Sequence, residues 1–418
     1  MYEKTIMFLN TFKNELLLSV LFVFPLLPIN YIGFLGVFIS LILIGLNYRN
    51  KNLSHKREVF ISILFFIFLV FTVSYSQNFP KGISAVFKLI LIGVFPISII
   101  GFSKIKSSRI DLILAFFIVV NIFLCIYVFN LAIEILSFKK MLFLNEASIL
   151  EKIKVFIEIP YHIPFNWSST EHEIVLFFHK AYMSMSLCLG AFISLYLMIF
   201  KKSVLLTKLA LFSIYLLFVF FVFYMNSIPN IISLVIGTLV FIFCRIKLWK
   251  ALIILSIGVI SIFFIIKSDG IKLYTEKILD RIDEDYRVDI WKCGLEIVEN
   301  DKFFGIGLGD NKDELFHCYS SKSKEIYEIL YQEKYNLHNQ YLNFYVSGGI
   351  FCLVLFLALI FNNLKTSFVT RDYLFLTFII LISVNFVFEN MLDRVYGIYF
   401  FSFFNSFFVK RNLIINTA

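Results

Sequence analysis

The chain has 418 residues, of which 60% are hydrophobic and only 16% charged, with 54 phenylalanines and a mean hydropathy of +0.86. A soluble protein of this length must cover most of its exterior with polar groups, so the composition excludes an aqueous globule and indicates residence in a bilayer. The net charge of +9 does not indicate nucleic-acid binding, because Lys and Arg occur in short clusters between apolar runs.

The first apolar run lacks a small-residue cleavage site, so it is expected to be retained in a chain that starts at Met1.

Cysteine use is also informative. Four cysteines lie inside apolar runs, where they resemble small core residues, and only Cys293 and Cys318 lie where a bridge could form. No CxxC pair or metal-ligand spacing occurs, so no metal site or cofactor is predicted.

Long apolar runs predict membrane-spanning helices, because a span needs about 20 apolar residues and lipid leaves no partner for an unpaired backbone amide. The fold class is therefore predicted as all-α, a polytopic membrane bundle of twelve helices. The predicted spans are 15–28, 31–47, 58–76, 86–102, 110–132, 176–199, 204–224, 229–245, 249–266, 341–361, 372–390 and 394–409.

Basic residues orient this bundle, because cytoplasmic connections carry the excess of Lys and Arg. Alternate connections hold about 19 of them on one side, against about three in the short connections opposite, which places both termini in the cytoplasm. Two long connections, 133–175 and 267–340, then lie outside. The predicted division is 1–266 with helices 1–9, a large periplasmic loop at 267–340 between helices 9 and 10, and 341–418 with the last three helices and a cytoplasmic tail.

A short helical pattern at 282–300 in the large loop contains "RVDIW". Arg287 and Trp291 are four residues apart and share a face, so a guanidinium beside an aromatic ring would suit a phosphate or a sugar. Alternatively, Arg287 pairs with a loop carboxylate, such as Asp289 or Glu296, and Trp291 is a packing anchor.

Two further motifs follow in the loop. "FFGIGLGD" at 303–310 alternates glycines that permit a sharp turn and close backbone approach, but it lacks the spacing of a dinucleotide site, so a simple turn is favoured. His338 precedes the tenth predicted span, and an imidazole there titrates near neutral pH, as a general base for a sugar hydroxyl requires. The alternative is an interfacial histidine bonded to a loop carbonyl.

The order of "RVDIW", "FFGIGLGD" and "LHNQYLNFYVSGG", followed by "FENMLDRVYGIYFFSFF" at 388–404, resembles the O-antigen ligase family, which includes related polysaccharide polymerases. "FHKAYMSMSL" at 178–187 is also similar to the His-x-x-Tyr start of a span in some members. The resemblance is clearest over residues 280–409.

The resemblance implies a metal-independent, inverting glycosyltransferase of the bacterial inner membrane, with its active site on the periplasmic side. Its partners would be an undecaprenyl-diphosphate-linked glycan as donor, a lipid A core sugar or another glycan as acceptor, and membrane lipids, with no nucleic acid. Arg287 would bind the carrier diphosphate and His338 would activate the acceptor hydroxyl. The candidate substrate-binding residues are Arg281, Trp291, Arg394, Glu389, Tyr341 and His179.

One departure concerns the Arg that the family usually places in a Ser-Arg pair. Here Ile228 follows Ser227, and no basic residue occurs between Phe223 and Phe243. Arg394 and Arg281 are the candidates to replace it, although Arg394 could instead pair locally with Asp393 or Glu389. A carboxylate such as that of Glu389 at the outer end of a span is costly without a partner or a task.

Several functions remain open. Within the enzyme class, a ligase, a polymerase that joins lipid-linked repeats and a transferase to protein Ser or Thr differ only in their acceptor. A transporter or flippase of lipid-linked glycans is the main alternative outside it. The span centres are nearly uncharged and show no internal duplication, which disfavours transport. A structural or sensory protein would not need the ordered Arg, Gly and His motifs.

Overall fold

Every regular element is helical in the part of the chain that the computed structural model describes, namely residues 2–48, 56–140, 148–151, 180–225, 227–245, 286–300, 302–322, 327–328, 330–331 and 335–417. The helices are α1 (Tyr2–Leu21), α2 (Ile29–Asn47), α3 (Lys56–Thr72), α4 (Phe79–Leu89), α5 (Leu91–Phe95), α6 (Ile110–Lys140), α7 (Lys180–Phe200), α8 (Leu205–Tyr224), α9 (Ile228–Arg245), α10 (Arg287–Asn300), α11 (Asn311–Ser320), α12 (Gln340–Val369), α13 (Tyr373–Phe388) and α14 (Val395–Thr417).

Seven of the described helical segments are long and apolar enough to cross a membrane. They are Ile29–Asn47, Arg57–Tyr75, Phe79–Phe102, Ser107–Asn130, Lys180–Phe200, Leu205–Tyr224 and Gln340–Val369, with shorter apolar helices at Ile228–Cys244 and Tyr373–Phe388. The predicted all-helical membrane protein is confirmed at this level. The count of twelve stays a prediction, and the predicted span 249–266 lies outside the described residues.

Some helix limits differ from the predicted ones. The fourth span was expected from residue 86, but its helix begins at Phe79 and passes through α5 into a π-helical turn at Pro96–Phe102. Pro96 lacks the N–H that a regular α-helix would use there. α6 continues to Lys140, beyond the predicted limit of 132, so the first part of the expected outer connection is helical.

The chain divides into two compact units, of which the first comprises Met1–Leu114 and Tyr286–Ala418. The turn after α1 packs against α14 through aromatic rings: Phe24 stacks on Tyr399 with centroids 4.6 Å apart, and Phe22 meets Phe403 edge-on at 4.9 Å. The Tyr399 hydroxyl donates to the Leu21 carbonyl at 3.0 Å. The two ends of the sequence therefore share one core.

α13 of this unit has a charged residue beyond each end. Asp372 precedes it, accepts from the Phe375 amide and forms a buried ion pair with Arg411. Glu389 follows its last residue. The 16 residues of α13 separate these two carboxylates by about 24 Å of helix.

The second unit, Ala115–Asp285, contains α7, α8 and α9 with most of α6. Polar contacts join its helices: the Ser186 hydroxyl donates to Asn121 Oδ1, and Asn230 Nδ2 donates to the Ala181 carbonyl, both at 2.9 Å. Ser227, where the expected Ser-Arg pair is missing, is buried and accepts from the Asn230 amide.

Candidate functional site

The glycine motif at 305–309 docks its backbone onto a break in α12. Gly348 and Gly349 have non-helical conformations, with φ at Gly349 of +63°. The carbonyls of Val346 and Ser347, which lose their helical partners there, accept from the Ile306 and Gly307 amides at 3.0 and 2.9 Å. The expected simple turn is thus also a backbone-to-backbone contact with a membrane helix.

Close approach explains why glycine occupies both sides of this contact. A Cβ on Gly349 would lie 2.1 Å from the Phe303 carbonyl oxygen, and one on Gly305 would lie 2.4 Å from that of Val346. Both residues have positive φ, which a side chain makes costly. The motif therefore fixes where the segment 302–310 contacts α12.

Asp310 secures the other end of the same turn. Its carboxylate accepts from the Ser76 hydroxyl and from the Gln77 and Asn78 amides, at 2.7–2.9 Å. Ser76 Oγ in turn accepts from the Gly309 amide at 2.8 Å. This residue was not singled out in the sequence, where only its place at the end of the glycine motif distinguishes it.

A disulfide joins two short helices, α10 and α11. Cys293 and Cys318, whose pairing the sequence left open, are bonded with Cα atoms 5.8 Å apart. They belong to an apolar cluster that includes Ile290, Leu315 and Leu337. Glu296 lies beside the sulfurs, but a disulfide offers no thiolate, so this group is poorly suited to hold a metal ion.

Trp291 positions the turn that carries His338. Its indole Nε1 donates to the Leu337 carbonyl at 3.0 Å. His338 itself has φ of +46°, and its backbone amide donates to Asn336 Oδ1 at 3.1 Å. Trp291 therefore ties the turn that carries His338 to α10.

Side-chain amides hold this turn against the segment that follows α13. The Asn339 amide donates to Asn390 Oδ1 at 2.9 Å, and the Leu392 amide donates to Gln340 Oε1 at 2.7 Å. Asn390 and Gln340 are both buried. Two loops that are 51 or more residues apart in sequence are thereby held side by side.

Glu389 lies between the two residues predicted to carry the chemistry. Its Oε2 is 3.1 Å from His338 Nδ1, and its Oε1 is 3.9 Å from an Arg287 terminal nitrogen. The side chains of Arg287, His338 and Glu389 are 32%, 22% and 25% exposed, so the group is accessible without being fully solvated. An ionised carboxylate only accepts, so Nδ1–H is the donor in this contact, which leaves the lone pair on Nε2 when the imidazole is neutral.

Asp289 and Glu296, the two carboxylates suggested for Arg287, are each paired with a lysine. Asp289 pairs with Lys292, and Glu296 pairs with Lys322, whereas Arg287 approaches Glu389. His338 contacts a carboxylate rather than a loop carbonyl. The carboxylate that follows α13 thus lies near both a cation and an imidazole.

Neither Tyr341 nor Arg394 joins this group. The Tyr341 hydroxyl donates to the Ser383 carbonyl at 3.2 Å, and its ring packs on Phe386. Arg394 is exposed and, within the described residues, forms no ion pair with Asp393 or Glu389. Arg281 and His179 lie outside the described residues.

Two carboxyl groups near the site have perturbed pKa values. Burial raises the pKa of Asp393 above its ordinary value, opposed by Lys312, the Asn336 hydrogen bond, Lys88 and Arg394. The hydrogen bond from Lys81 lowers the pKa of Asp313, to which its Nζ is 2.6 Å away.

Residues 176–357 match a family model described as O-antigen ligase. The match includes α7 to α10, the glycine motif and His338, and it ends before Glu389. No curated protein matches the chain.

Proposed function

We propose that this chain, whose residues 176–357 match the O-antigen ligase family, transfers a glycan from a polyprenyl-diphosphate carrier to an acceptor sugar. The observation that carries the proposal is the meeting of Arg287 and His338 at the carboxylate of Glu389. The proposed donor is undecaprenyl diphosphate-linked glycan, and the proposed acceptor is a lipid A core sugar.

His338 is the proposed general base. With Nδ1–H donating to Glu389, the Nε2 lone pair accepts the proton of the acceptor hydroxyl as its oxygen attacks the anomeric carbon of the donor. Glu389 then stabilises the imidazolium that forms, in the way that a buried carboxylate does in a catalytic triad. Because Glu389 acts through His338, it is a positioning residue.

Arg287 is the proposed partner of the leaving group. As the bond between the anomeric carbon and the diphosphate oxygen breaks, that oxygen keeps the electron pair, and the guanidinium stabilises the growing negative charge. A new bond between the same carbon and the acceptor oxygen forms from the opposite face, so the configuration inverts. These groups supply a base and a cation without a metal ion.

The proposed location is the inner membrane, with the site on the periplasmic face. The few basic residues in connections on that side support it, as does the disulfide, because disulfides persist in oxidising compartments. The proposed division has membrane helices in residues 1–266 and 341–418 and a periplasmic loop at residues 267–340. Arg287 and His338 then belong to the loop.

A polymerase that joins lipid-linked repeats would use the same groups on a different acceptor, and so would a transferase to protein hydroxyls. Transport of lipid-linked glycans is the alternative from another class. The contacts of His338 favour an enzyme, because a proton acceptor oriented by a carboxylate is needed for hydroxyl activation and not for passive lipid movement.

In vitro transfer with purified variants tests the proposal. Arg287→Ala and His338→Ala are each expected to abolish transfer of a lipid-linked glycan while the protein stays folded in detergent. Arg57→Ala and His317→Ala, which change exposed residues away from the site, are the matched controls and should retain activity. Full transfer by either site variant would remove that residue from the mechanism.

A further inference from the structure

A cavity of about 300 Å³ adjoins the turn that carries His338. Asn336 and Leu337 line it from that turn, and Leu392 and Asp393 line it from the segment after Glu389. Its volume is at the lower end of the range for small-molecule sites and suits a single sugar residue better than a whole lipid-linked glycan.

The lining of this cavity combines cations with amides. Lys88 comes from α4 and Lys312 from α11. Neither lysine forms an ion pair within 4 Å in the part of the chain described, whereas the third lysine of the lining, Lys81, is paired with Asp313. The cavity therefore offers two ammonium groups that are not already neutralised at close range.

The amides add hydrogen-bonding capacity suited to a sugar. Asn311, Asn336 and Asn343 all line the cavity. The side-chain oxygen of Asn311 is buried and has no hydrogen-bond partner among the described residues, although its nitrogen donates to Ser347 Oγ. A buried acceptor without a partner is costly, and a ligand hydroxyl would satisfy it.

Resting on the function proposed above, we infer that this cavity binds an acidic sugar residue of the acceptor glycan, with Lys88 and Lys312 facing its carboxylate or phosphate group. Asp393 accepts hydrogen bonds from the sugar hydroxyls. The same carboxylate argues against the donor diphosphate as the occupant, because its charge would oppose a dianion, whereas a sugar with one acid group pairs with the lysines. Arg287 is then the residue proposed to bind the diphosphate of the donor.

Saturation-transfer NMR with the purified full-length protein tests this inference, using D-glucuronate, D-glucose and inorganic diphosphate as probes. Glucuronate is expected to bind saturably and more tightly than glucose. The Lys88→Gln/Lys312→Gln variant should bind glucuronate at least about tenfold more weakly, with glucose binding unchanged. Lys302→Gln, which removes an exposed lysine outside the cavity, is the matched control and should behave as wild type.

Equal glucuronate affinity in the wild type and the double variant would overturn the inference, as would no saturable binding to the wild type. Tighter binding of diphosphate than of glucuronate, lost in the double variant, would overturn the acceptor assignment in favour of the donor. His338→Ala should bind glucuronate normally. If that variant also transfers glycan normally, the proposed function fails while the cavity inference stands.

Discussion

His338 Nδ1 and Glu389 Oε2 lie 3.1 Å apart, although 51 positions separate the two residues in the chain. Three further polar contacts between their loops hold this pair, namely those of Asn336 with Asp393, Asn339 with Asn390, and Gln340 with Leu392. The imidazole is therefore oriented by the ends of two helices rather than by its own segment.

Glu389→Gln is expected to lower kcat for transfer by about 100-fold with little change in KM for the acceptor, because a neutral amide cannot stabilise an imidazolium. Steady-state transfer assays measure this split. Glu389→Asp should recover part of the loss, and Glu299→Gln, on the exposed face of α10, should have no effect. An unchanged kcat in Glu389→Gln would show that the carboxylate does not assist His338.

Gly349→Ala is expected to destabilise the protein by at least about 2 kcal/mol, because it combines a side chain at positive φ with a clash against the Phe303 carbonyl. The thermal unfolding midpoint in detergent measures the effect. Gly45→Ala is the control, since a Cβ there meets nothing within 4 Å. Equal midpoints for the two variants would mean that the glycine motif does not dock as described.

Replacement of both bridging cysteines by serine is expected to destabilise the α10–α11 pair by about 3 kcal/mol, the usual effect of closing a loop of this length. Transfer should fall as well, because Arg287 lies on α10. Hydrogen exchange of residues 286–322 measures the loosening. A reductant should convert the wild type to the behaviour of the variant and leave the variant unchanged; a wild type insensitive to reductant would contradict the prediction.

Asp393→Asn is expected to alter the pH dependence of stability. Burial raises the pKa of this carboxyl in the folded protein above its ordinary value of 3.8. At pH values between 3.8 and the raised pKa, the folded state therefore binds more protons than the unfolded state. Stability contributed by the protonated form is then lost as pH rises from about 4 through the raised pKa.

The Asn variant keeps an acceptor for the Asn336 amide and lacks the charge, so it should match the wild type at low pH and be the more stable at neutral pH. Unfolding midpoints at pH 4.5 and 7.5 measure the difference, with Asp289→Asn as a control for a carboxyl paired on the surface of α10. A wild type more stable than the variant at neutral pH would show that Asp393 is held as a stabilising anion.

Membrane residence and the approximate places of most helices followed from the sequence, because a bilayer demands long apolar runs and imposes helical structure on each of them locally. The helical pattern at 282–300 was likewise local and corresponds to α10. The prediction that Arg287 and His338 carry the chemistry rests on their residue types and on the order of the loop motifs.

Only the tertiary structure decided which of these residues meet. The contact of Glu389 with both Arg287 and His338, the docking of the glycine motif onto the break in α12, and the Cys293–Cys318 pairing each join segments that are distant in sequence. Such contacts depend on how helices pack and on which buried amides find partners, and neither leaves a periodic signal along the chain.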